Sequence, residues 1–124
     1  YEAGLNFAIN YKKEVNFIGK NNLLKIKNKK LNKRFIMLSL KDSNPGHPLL
    51  LHEEPIYLND KIIGRTTSGN YSFNYNKNLS FGYVSSEHTN EELIKMNLYI
   101  EVAKQKYPVS VETSALKDKK IKLL

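Results

Sequence analysis

PIYLNDKIIGRTTS, residues 55–68, is the stretch that indicates the fold. Two runs of strand-forming residues, Pro55 to Leu58 and Lys61 to Ser68, flank Asn59-Asp60. Asn and Asp both tolerate a positive φ, which a two-residue hairpin turn requires. The stretch therefore predicts an antiparallel β-hairpin, and Gly69-Asn70 is expected to end its second strand.

Further strands are predicted on both sides of this hairpin. Phe35 to Leu40 is apolar apart from Ser39, and Leu79 to Val84 alternates with aromatic residues. A second hairpin is predicted from Leu98 to Ala103 and Tyr107 to Glu112, around Lys104-Gln105-Lys106. Because the strands are short, near-regular in spacing and not alternated with helices, the pattern favours a barrel or sandwich, and a closed six-stranded antiparallel barrel first.

One helix is predicted before the barrel, from about Ile18 to Lys29. Leu23, Leu24 and Ile26 share a helical face, and lysines crowd the C-terminal end, where the helix dipole favours cations. Asn16 is expected to cap its start. The fold class is therefore mainly β, with one N-terminal helix.

The chain is divided accordingly into two parts. Residues 1–32 are interpreted as the end of a preceding domain, a linker and the helix, and residues 33–124 as the barrel. Within the barrel, Thr89-Asn90-Glu91-Glu92 has the spacing of a capping box and predicts one helical turn. The chain has 124 residues and does not begin with Met, so it is expected to be a fragment of a longer protein.

The net charge of +8 is concentrated in one segment. Between Lys12 and Arg34 there are nine basic residues and one acidic residue, and the rest of the chain is balanced at eleven of each. Lysines make up 18 of the 20 basic residues, and we interpret them as a solvated surface under the codon bias of an AT-rich genome. No nucleic-acid partner is therefore expected, although a small basic nucleic-acid-binding barrel stays open as the alternative from another class.

The composition also limits the compartment. With no cysteine, the chain holds no disulfide and no thiolate metal site, which fits a reducing compartment, and a cytoplasmic location is expected. The longest apolar run is only a few residues, far short of the roughly 20 that a transmembrane helix needs, so no membrane association is expected.

The sequence does not group the side chains that a metal site or a catalytic acid/base pair would need. His47, His52 and His88 have no acidic residue at a spacing that completes a metal-ligand set. Neighbouring residues on a strand point to opposite faces, so the pair Glu53-Glu54 is not an acid/base dyad. We therefore predict no catalytic residue and no metal site.

Aromatic residues form the remaining pattern. Five of them fall at odd positions around Asn76-Lys77-Asn78, so one face of a long hairpin is expected to carry a stripe of rings: Tyr71, Phe73, Tyr75, Phe81 and Tyr83. The main interpretation is barrel core. A platform for stacked bases and a wall for the ring system of a cofactor are the open alternatives.

Several short strings resemble one protein family, in order along nearly the whole chain. Tyr1-Glu2-Ala3-Gly4-Leu5 followed by Phe17-Ile18-Gly19-Lys20 is similar to the segment where the folate-binding domain of glycine-cleavage T-protein relatives leads into their C-terminal barrel. Four later strings resemble successive landmarks of that barrel: Glu54 to Tyr57, Ile63 to Gly69, Leu79 to Val84, and Tyr107 to Val109.

Within that superfamily, the chain looks most like the C-terminal part of dimethylglycine and sarcosine dehydrogenases. The resemblance implies a flavin (FAD) domain that oxidises an N-methyl group to an iminium, and tetrahydrofolate that captures the one-carbon unit. It also implies that the acidic catalytic residue lies in the preceding domain, so this chain alone is expected to be inactive. The alternative within the family is the C-terminal domain of a stand-alone T-protein aminomethyltransferase.

The resemblance further implies where this chain acts. The barrel is expected to close one side of the folate site, with Ser68, the Gly69 amide and Tyr71 bordering the glutamyl tail and Lys20 facing its carboxylates. Thr66 to Gly69 is expected to be a turn at the barrel's mouth. T-proteins carry a tyrosine near the C-terminus that helps to hold folate, but Ala115 to Leu124 contains none.

The N-terminal segment is expected to contact the preceding folate-binding domain of the same polypeptide. Its apolar residues, Leu5, Phe7, Phe17 and Leu23, need a partner surface.

Overall fold

The structure is a computed structural model that describes residues 1–85, 87–113 and 116. After a 3₁₀ turn at Asn6–Ala8, the elements in chain order are α1 (Lys20–Ile26), β1 (Lys33–Leu40), β2 (Pro55–Leu58), β3 (Lys61–Ser72), β4 (Lys77–Ser85), α2 (Asn90–Lys95), β5 (Leu98–Val102) and β6 (Gln105–Glu112).

The six strands close into one antiparallel barrel, in the order β1-β4-β3-β2-β5-β6. β1 completes the closure by pairing with both β4 and β6. The predicted six-stranded barrel with an N-terminal helix is therefore confirmed, and α2 is a further helix. No helix among the residues that the structure describes is long and apolar enough to cross a membrane.

The first hairpin forms as predicted, but its second strand is longer. Leu58 pairs with Lys61 across Asn59-Asp60, and Asn59 has φ 54°. β3 does not end at Gly69-Asn70, because its pairing with β4 continues to Ser72 opposite Lys77. Thr66 to Gly69 is therefore not a turn but strand, with a bulge between Thr66 and Ser68. Position 69 of this strand is a glycine because a Cβ there would lie 2.5 Å from the Cβ of Leu50.

Two other local predictions need correction. The second hairpin turns at Ala103-Lys104, which both have positive φ (49° and 65°), so β6 already begins at Gln105. α1 is shorter than predicted, because Gly19 with φ 89° is its N-cap and no side chain caps it, so the prediction for Asn16 is wrong. The capping box is confirmed: the Glu92 N–H donates to the Thr89 hydroxyl and the Thr89 N–H to the Glu92 carboxylate.

Aliphatic side chains from five strands fill the barrel's interior, including Val84 of β4. Even-numbered residues of β1 and β2 are buried there, and so are residues of β5 and β6; this set includes Ile36, Leu38, Leu40, Ile56, Leu98, Ile100, Val109 and Val111. At one end, the segment 41–54 adds Leu50 to the core. At the other end, α2 adds Leu93, and the Arg34 guanidinium donates to Asn90 Oδ1 (2.7 Å).

The aromatic stripe is not barrel core. Tyr71 lies opposite Asn78, so an odd-numbered residue of β3 faces an even-numbered residue of β4. Tyr71 and Phe81 therefore have opposite phases in the sheet, so the odd-numbered rings of β3 and β4 do not form one stripe. Phe81 is 41% exposed, because the inner positions of β4 are occupied by Asn78, Ser80, Gly82 and Val84. Phe73, in the turn after β3, is 77% exposed.

Candidate functional site

A group of rings lies on the outer surface of the barrel, where β1 and β4 pair. Phe35 and Phe81 stack with their centroids 5.4 Å apart and their planes 13° apart. Tyr83 is tilted against Phe35, also at 5.4 Å. We call Phe35, Phe81 and Tyr83, with Leu79 beside them, the aromatic face. The odd-position pattern missed Phe35, because only strand pairing places it opposite Tyr83.

The aromatic face borders a groove of about 490 Å³, which we call the β1 groove. Met37 lies in it beside Phe35, and residues 3 and 4 of the N-terminal segment contribute to its rim. The other residues that line it are Ile36, Tyr75, Leu79, Phe81, Glu112, Thr113 and Leu116. It is therefore a mainly apolar groove.

A second groove, of about 330 Å³, adjoins the first one. Its lining is Ser68 to Ser72 from β3, together with Leu79 and Phe81 from β4. Leu79 and Phe81 belong to both grooves, so the two form one continuous surface. We call this second groove the β3 groove.

Three of the four predicted site residues lie together in the β3 groove. Ser68 follows the bulge, and its carbonyl accepts a hydrogen bond from Ser80 Oγ (2.8 Å). The Tyr71 ring meets Phe73 edge-on, with centroids 5.0 Å apart. The groove thus offers hydroxyl and amide groups beside apolar side chains, a combination typical of sites that orient a small molecule.

Lys20, the fourth predicted residue, does not line the β3 groove. It is the first residue of α1, and its ammonium donates to the Lys13 carbonyl (3.0 Å) and lies 5.9 Å from the Phe17 ring centroid. Within the described residues, its contacts are those of the N-terminal segment. Its role toward a ligand remains a prediction.

A buried carboxylate that sequence reasoning left aside lies near this groove. Thr66 donates a short hydrogen bond from its hydroxyl to Glu54 Oε2, and the Leu51 N–H donates to Oε1 (2.7 Å). The Glu54 N–H in turn donates to the Thr66 hydroxyl (2.9 Å). These bonds attach the segment before β2 to β3, so the role of Glu54 is to hold the chain in place.

Two ionisable groups of the described residues have perturbed pKa values, and neither lines the β1 groove or the β3 groove. The Thr89 backbone N–H, followed by the Thr89 hydroxyl, lowers the pKa of Glu92. Desolvation, followed by the hydrogen bond to Tyr11, raises the pKa of Tyr1 to about 12. Among the described residues, no three His, Asp or Glu side chains are grouped so as to hold a metal ion.

Known proteins similar to this chain include a dehydrogenase and an aminomethyltransferase. Human mitochondrial dimethylglycine dehydrogenase is 34% identical over 112 residues, which cover 89% of this chain and 12% of that protein. An aminomethyltransferase of Listeria monocytogenes is 40% identical over 88 residues, which cover 71% of this chain and 23% of that protein. The chain thus spans less than a quarter of either relative.

A solved structure and a family model agree with these relatives. The glycine cleavage system aminomethyltransferase T from Bartonella henselae has the same fold, with a TM-score of 0.70 at 19% identity, covering 90% of this chain and 30% of that one. The model of the glycine cleavage T-protein C-terminal barrel domain matches residues 33–118. From this match, the sequence relatives and the closed barrel, we conclude that the chain belongs to the glycine cleavage T-protein C-terminal barrel domain family.

Proposed function

We propose that this chain is the C-terminal domain of a folate-linked dehydrogenase of N-methyl amines, of the dimethylglycine or sarcosine type, where it closes the tetrahydrofolate site. The observation that carries the proposal is the extent of the similarity to dimethylglycine dehydrogenase. An alignment of 112 residues is longer than the barrel region 33–124, so it includes part of the N-terminal segment. The aminomethyltransferase match is shorter, at 88 residues.

The β3 groove suits one end of tetrahydrofolate. Folate carries a glutamyl tail with carboxylates, and the Ser68 hydroxyl, the Gly69 amide and the Tyr71 hydroxyl are neutral donors for such groups. The Leu79 and Phe81 side chains supply an apolar wall for the adjoining part of the ligand. Lys20 joins them only if its ammonium leaves the Lys13 carbonyl, so we expect it to contribute least.

The chemistry is proposed to take place outside this chain. When bound, FAD in a preceding domain supplies the oxidation of the N-methyl group, and the acidic residue that acts on the substrate lies in the preceding folate-binding domain. The residues of this chain bind and orient folate and exclude water at one side of its site. The 124 residues alone are accordingly expected to show no turnover of dimethylglycine or sarcosine.

A stand-alone aminomethyltransferase is the second candidate for the parent protein. It is favoured by the 40% identity to the Listeria monocytogenes enzyme. Purification of the parent protein separates the two candidates, because a dehydrogenase retains the absorbance of a flavin and an aminomethyltransferase does not. We do not propose nucleic-acid binding, since family membership favours folate enzymes. A cytoplasmic location is proposed on the absence of cysteine.

Titration of the parent protein with polyglutamyl tetrahydrofolate tests the proposed site. Each lost hydrogen bond is worth about 1 kcal/mol, so Ser68→Ala and Tyr71→Phe are each expected to raise Kd roughly five- to tenfold. Ser85→Ala, on β4 outside the β3 groove, is the matched control for Ser68→Ala and is expected to leave Kd unchanged. Lys20→Ala is compared with Lys12→Ala, a lysine of the same segment. Equal affinity in the wild type and in both groove variants would contradict the assignment.

A further inference from the structure

We propose that a lysine-lined cleft beside the N-terminal segment binds a small organic diphosphate through its phosphate groups. The cleft has a volume of about 470 Å³, and we call it the basic cleft. It is lined by residues 1–3 and by the chain from the end of α1 to the start of β1, together with Tyr83 of β4. None of its lining residues belongs to the β3 groove, so the inference goes beyond the proposed folate site.

Main-chain hydrogen bonds form the walls of the basic cleft. The Phe35 N–H donates to the Glu2 carbonyl (2.9 Å), which holds residue 2 alongside the start of β1. The Lys29 N–H donates to the Ile26 carbonyl (2.9 Å), and this turn after α1 brings Lys29 and Lys30 into the lining. Both walls are therefore fixed by backbone contacts, and the cleft does not depend on the placement of long side chains.

The basic cleft carries positive charge that the protein does not neutralise. Three positive residues and one negative residue of its described lining give a net charge of +2: Lys29, Lys30, Lys33 and Glu2. Within the part of the chain that the structure describes, the Lys29 and Lys30 ammoniums have no ion pair and no hydrogen bond. A cleft lined by one sign of charge concentrates ions of the opposite sign.

The type of cation favours phosphate as the ligand group. Arg34 and Arg65, the only arginines of the chain, do not line the cleft. Carboxylates are best matched by the planar guanidinium group, whereas the lysine ammonium binds phosphate as a point charge with three N–H donors. Two ammoniums without partners match the two phosphates of a diphosphate.

The remaining lining favours an organic group attached to those phosphates. Pockets for small molecules have volumes of roughly 300–1,000 Å³ and mainly apolar walls. The basic cleft falls in that range, and Ile26, Leu31 and the Tyr83 ring supply apolar surface beside the lysines. A nucleoside diphosphate has both required parts, a flat body and two adjacent phosphates.

Glu2 is the group that competes with such a ligand. Its carboxylate lies 3.8 Å from the Lys33 ammonium, and the two side chains are 41% and 54% exposed. An exposed ion pair of this kind is worth little, so a phosphate can replace the carboxylate beside Lys33. The Lys33 ammonium also lies 4.9 Å from the Tyr83 ring centroid, which keeps it at the cleft when Glu2 is displaced.

Isothermal titration of the full-length parent protein with ADP tests the proposal. The ionic strength is 0.15 M, where charges more than about 8 Å apart are largely screened. The double variant Lys29→Gln/Lys30→Gln is expected to raise Kd about tenfold or more, because charge-assisted hydrogen bonds to phosphate are lost. Lys12→Gln/Lys13→Gln is the matched control, since it removes the same charge from the same segment but outside the cleft, and should change Kd by less than about twofold.

Two further titrations assign the parts of the ligand. Glu2→Gln is expected to lower the Kd for ADP about two- to threefold, a gain in affinity that a poorly folded variant does not produce. Adenosine, which has no phosphate, is expected not to bind, and pyrophosphate is expected to bind more weakly than ADP.

Several results would overturn the proposal. Absence of saturable ADP binding would exclude the site, and equal losses in the two double variants would show general attraction to a basic segment. Binding of tri-γ-glutamate but not of ADP would show a carboxylate site. An unchanged Kd in Glu2→Gln would contradict the role of Lys33. The folate titration uses other residues, so the two sites can fail separately.

Discussion

The two faces of β4 differ in side-chain size, and the larger apolar side chains lie on the outer face, contrary to the usual amphipathic pattern of a strand. Its inner side carries Asn78, Ser80, Gly82 and Val84, whereas its outer side carries Leu79, Phe81 and Tyr83. The interior has no room for more: a Cβ on Gly82 would lie 2.7 Å from the Arg65 carbonyl oxygen and 3.0 Å from Ile56 Cδ1. The comparison teaches that the inner side of β4 has room only for small side chains at Gly82, whereas its rings lie on the outer surface.

The largest effect that tests this comparison is expected in the first hairpin. Ile56→Ala removes a fully buried side chain from the inner face and should lower the free energy of unfolding by about 2–5 kcal/mol. Ile62→Ala, in the paired strand and 48% exposed, is the matched control and should cost less than about 1 kcal/mol. Urea unfolding of the 124-residue chain measures both, and similar losses would mean that the two faces are not distinct.

A smaller effect is expected from two adjacent threonines of β3. The buried Thr66 hydroxyl bonds to Glu54, so Thr66→Val leaves a buried carboxylate short of a donor and should cost about 1–3 kcal/mol. The exposed Thr67 hydroxyl makes only a 3.3 Å contact to the Phe81 carbonyl, so Thr67→Val should change stability by less than about 0.5 kcal/mol. Thermal unfolding compares the two, and a loss that is no larger at Thr66 would refute the role of Glu54.

The smallest effect is expected at the surface helix α2, outside both faces. Thr89→Ala removes the N-cap and should cost about 1 kcal/mol. The pKa of Glu92 is lowered in the folded state, so its carboxylate stabilises the fold above its ordinary pKa of 4.5, and this contribution is lost as the pH falls through the lowered value.

Stability curves from pH 3 to pH 7 check the second part of this prediction. Glu92→Gln is expected to flatten the acidic limb, whereas Glu91→Gln, in the same first turn, should flatten it less. Identical curves for the two variants would mean that the loss of stability at acidic pH comes from the helix dipole and not from the capping box.

The elements of the barrel were predictable because each has a local signal. Asn59-Asp60 indicated a turn, and Thr89 to Glu92 indicated a cap, and both were confirmed. The prediction misplaced the turn at Ala103-Lys104, because neither alanine nor lysine is typical of a positive φ. The end of β3 was misplaced at Gly69, where a contact with Leu50 and not a turn explains the glycine.

Relations between strands were not predictable from periodicity. The prediction of one aromatic stripe was wrong because Tyr71 pairs with Asn78. Whether odd-numbered residues lie opposite odd or even ones depends on how two strands pair. Ser68 to Tyr71 line one groove together with Leu79 and Phe81 of the paired strand, which the sequence does not place beside them. The Glu54–Thr66 contact and the position of Phe35 beside Phe81 appear only when the sheet is assembled.

The segment between β1 and β2 has a consequence for anyone who trims or redesigns the domain. Glu54 bonds to β3, and the Asn78 amide of β4 donates to the Asn44 and His47 carbonyls (3.3 and 3.1 Å), so the segment is attached near both of its ends. Shortening it would break these attachments and withdraw Leu50 from the core. Its adaptable positions are instead Leu49 and Leu51, both 60% exposed, where substitution by polar residues changes side chains that take no part in the attachments.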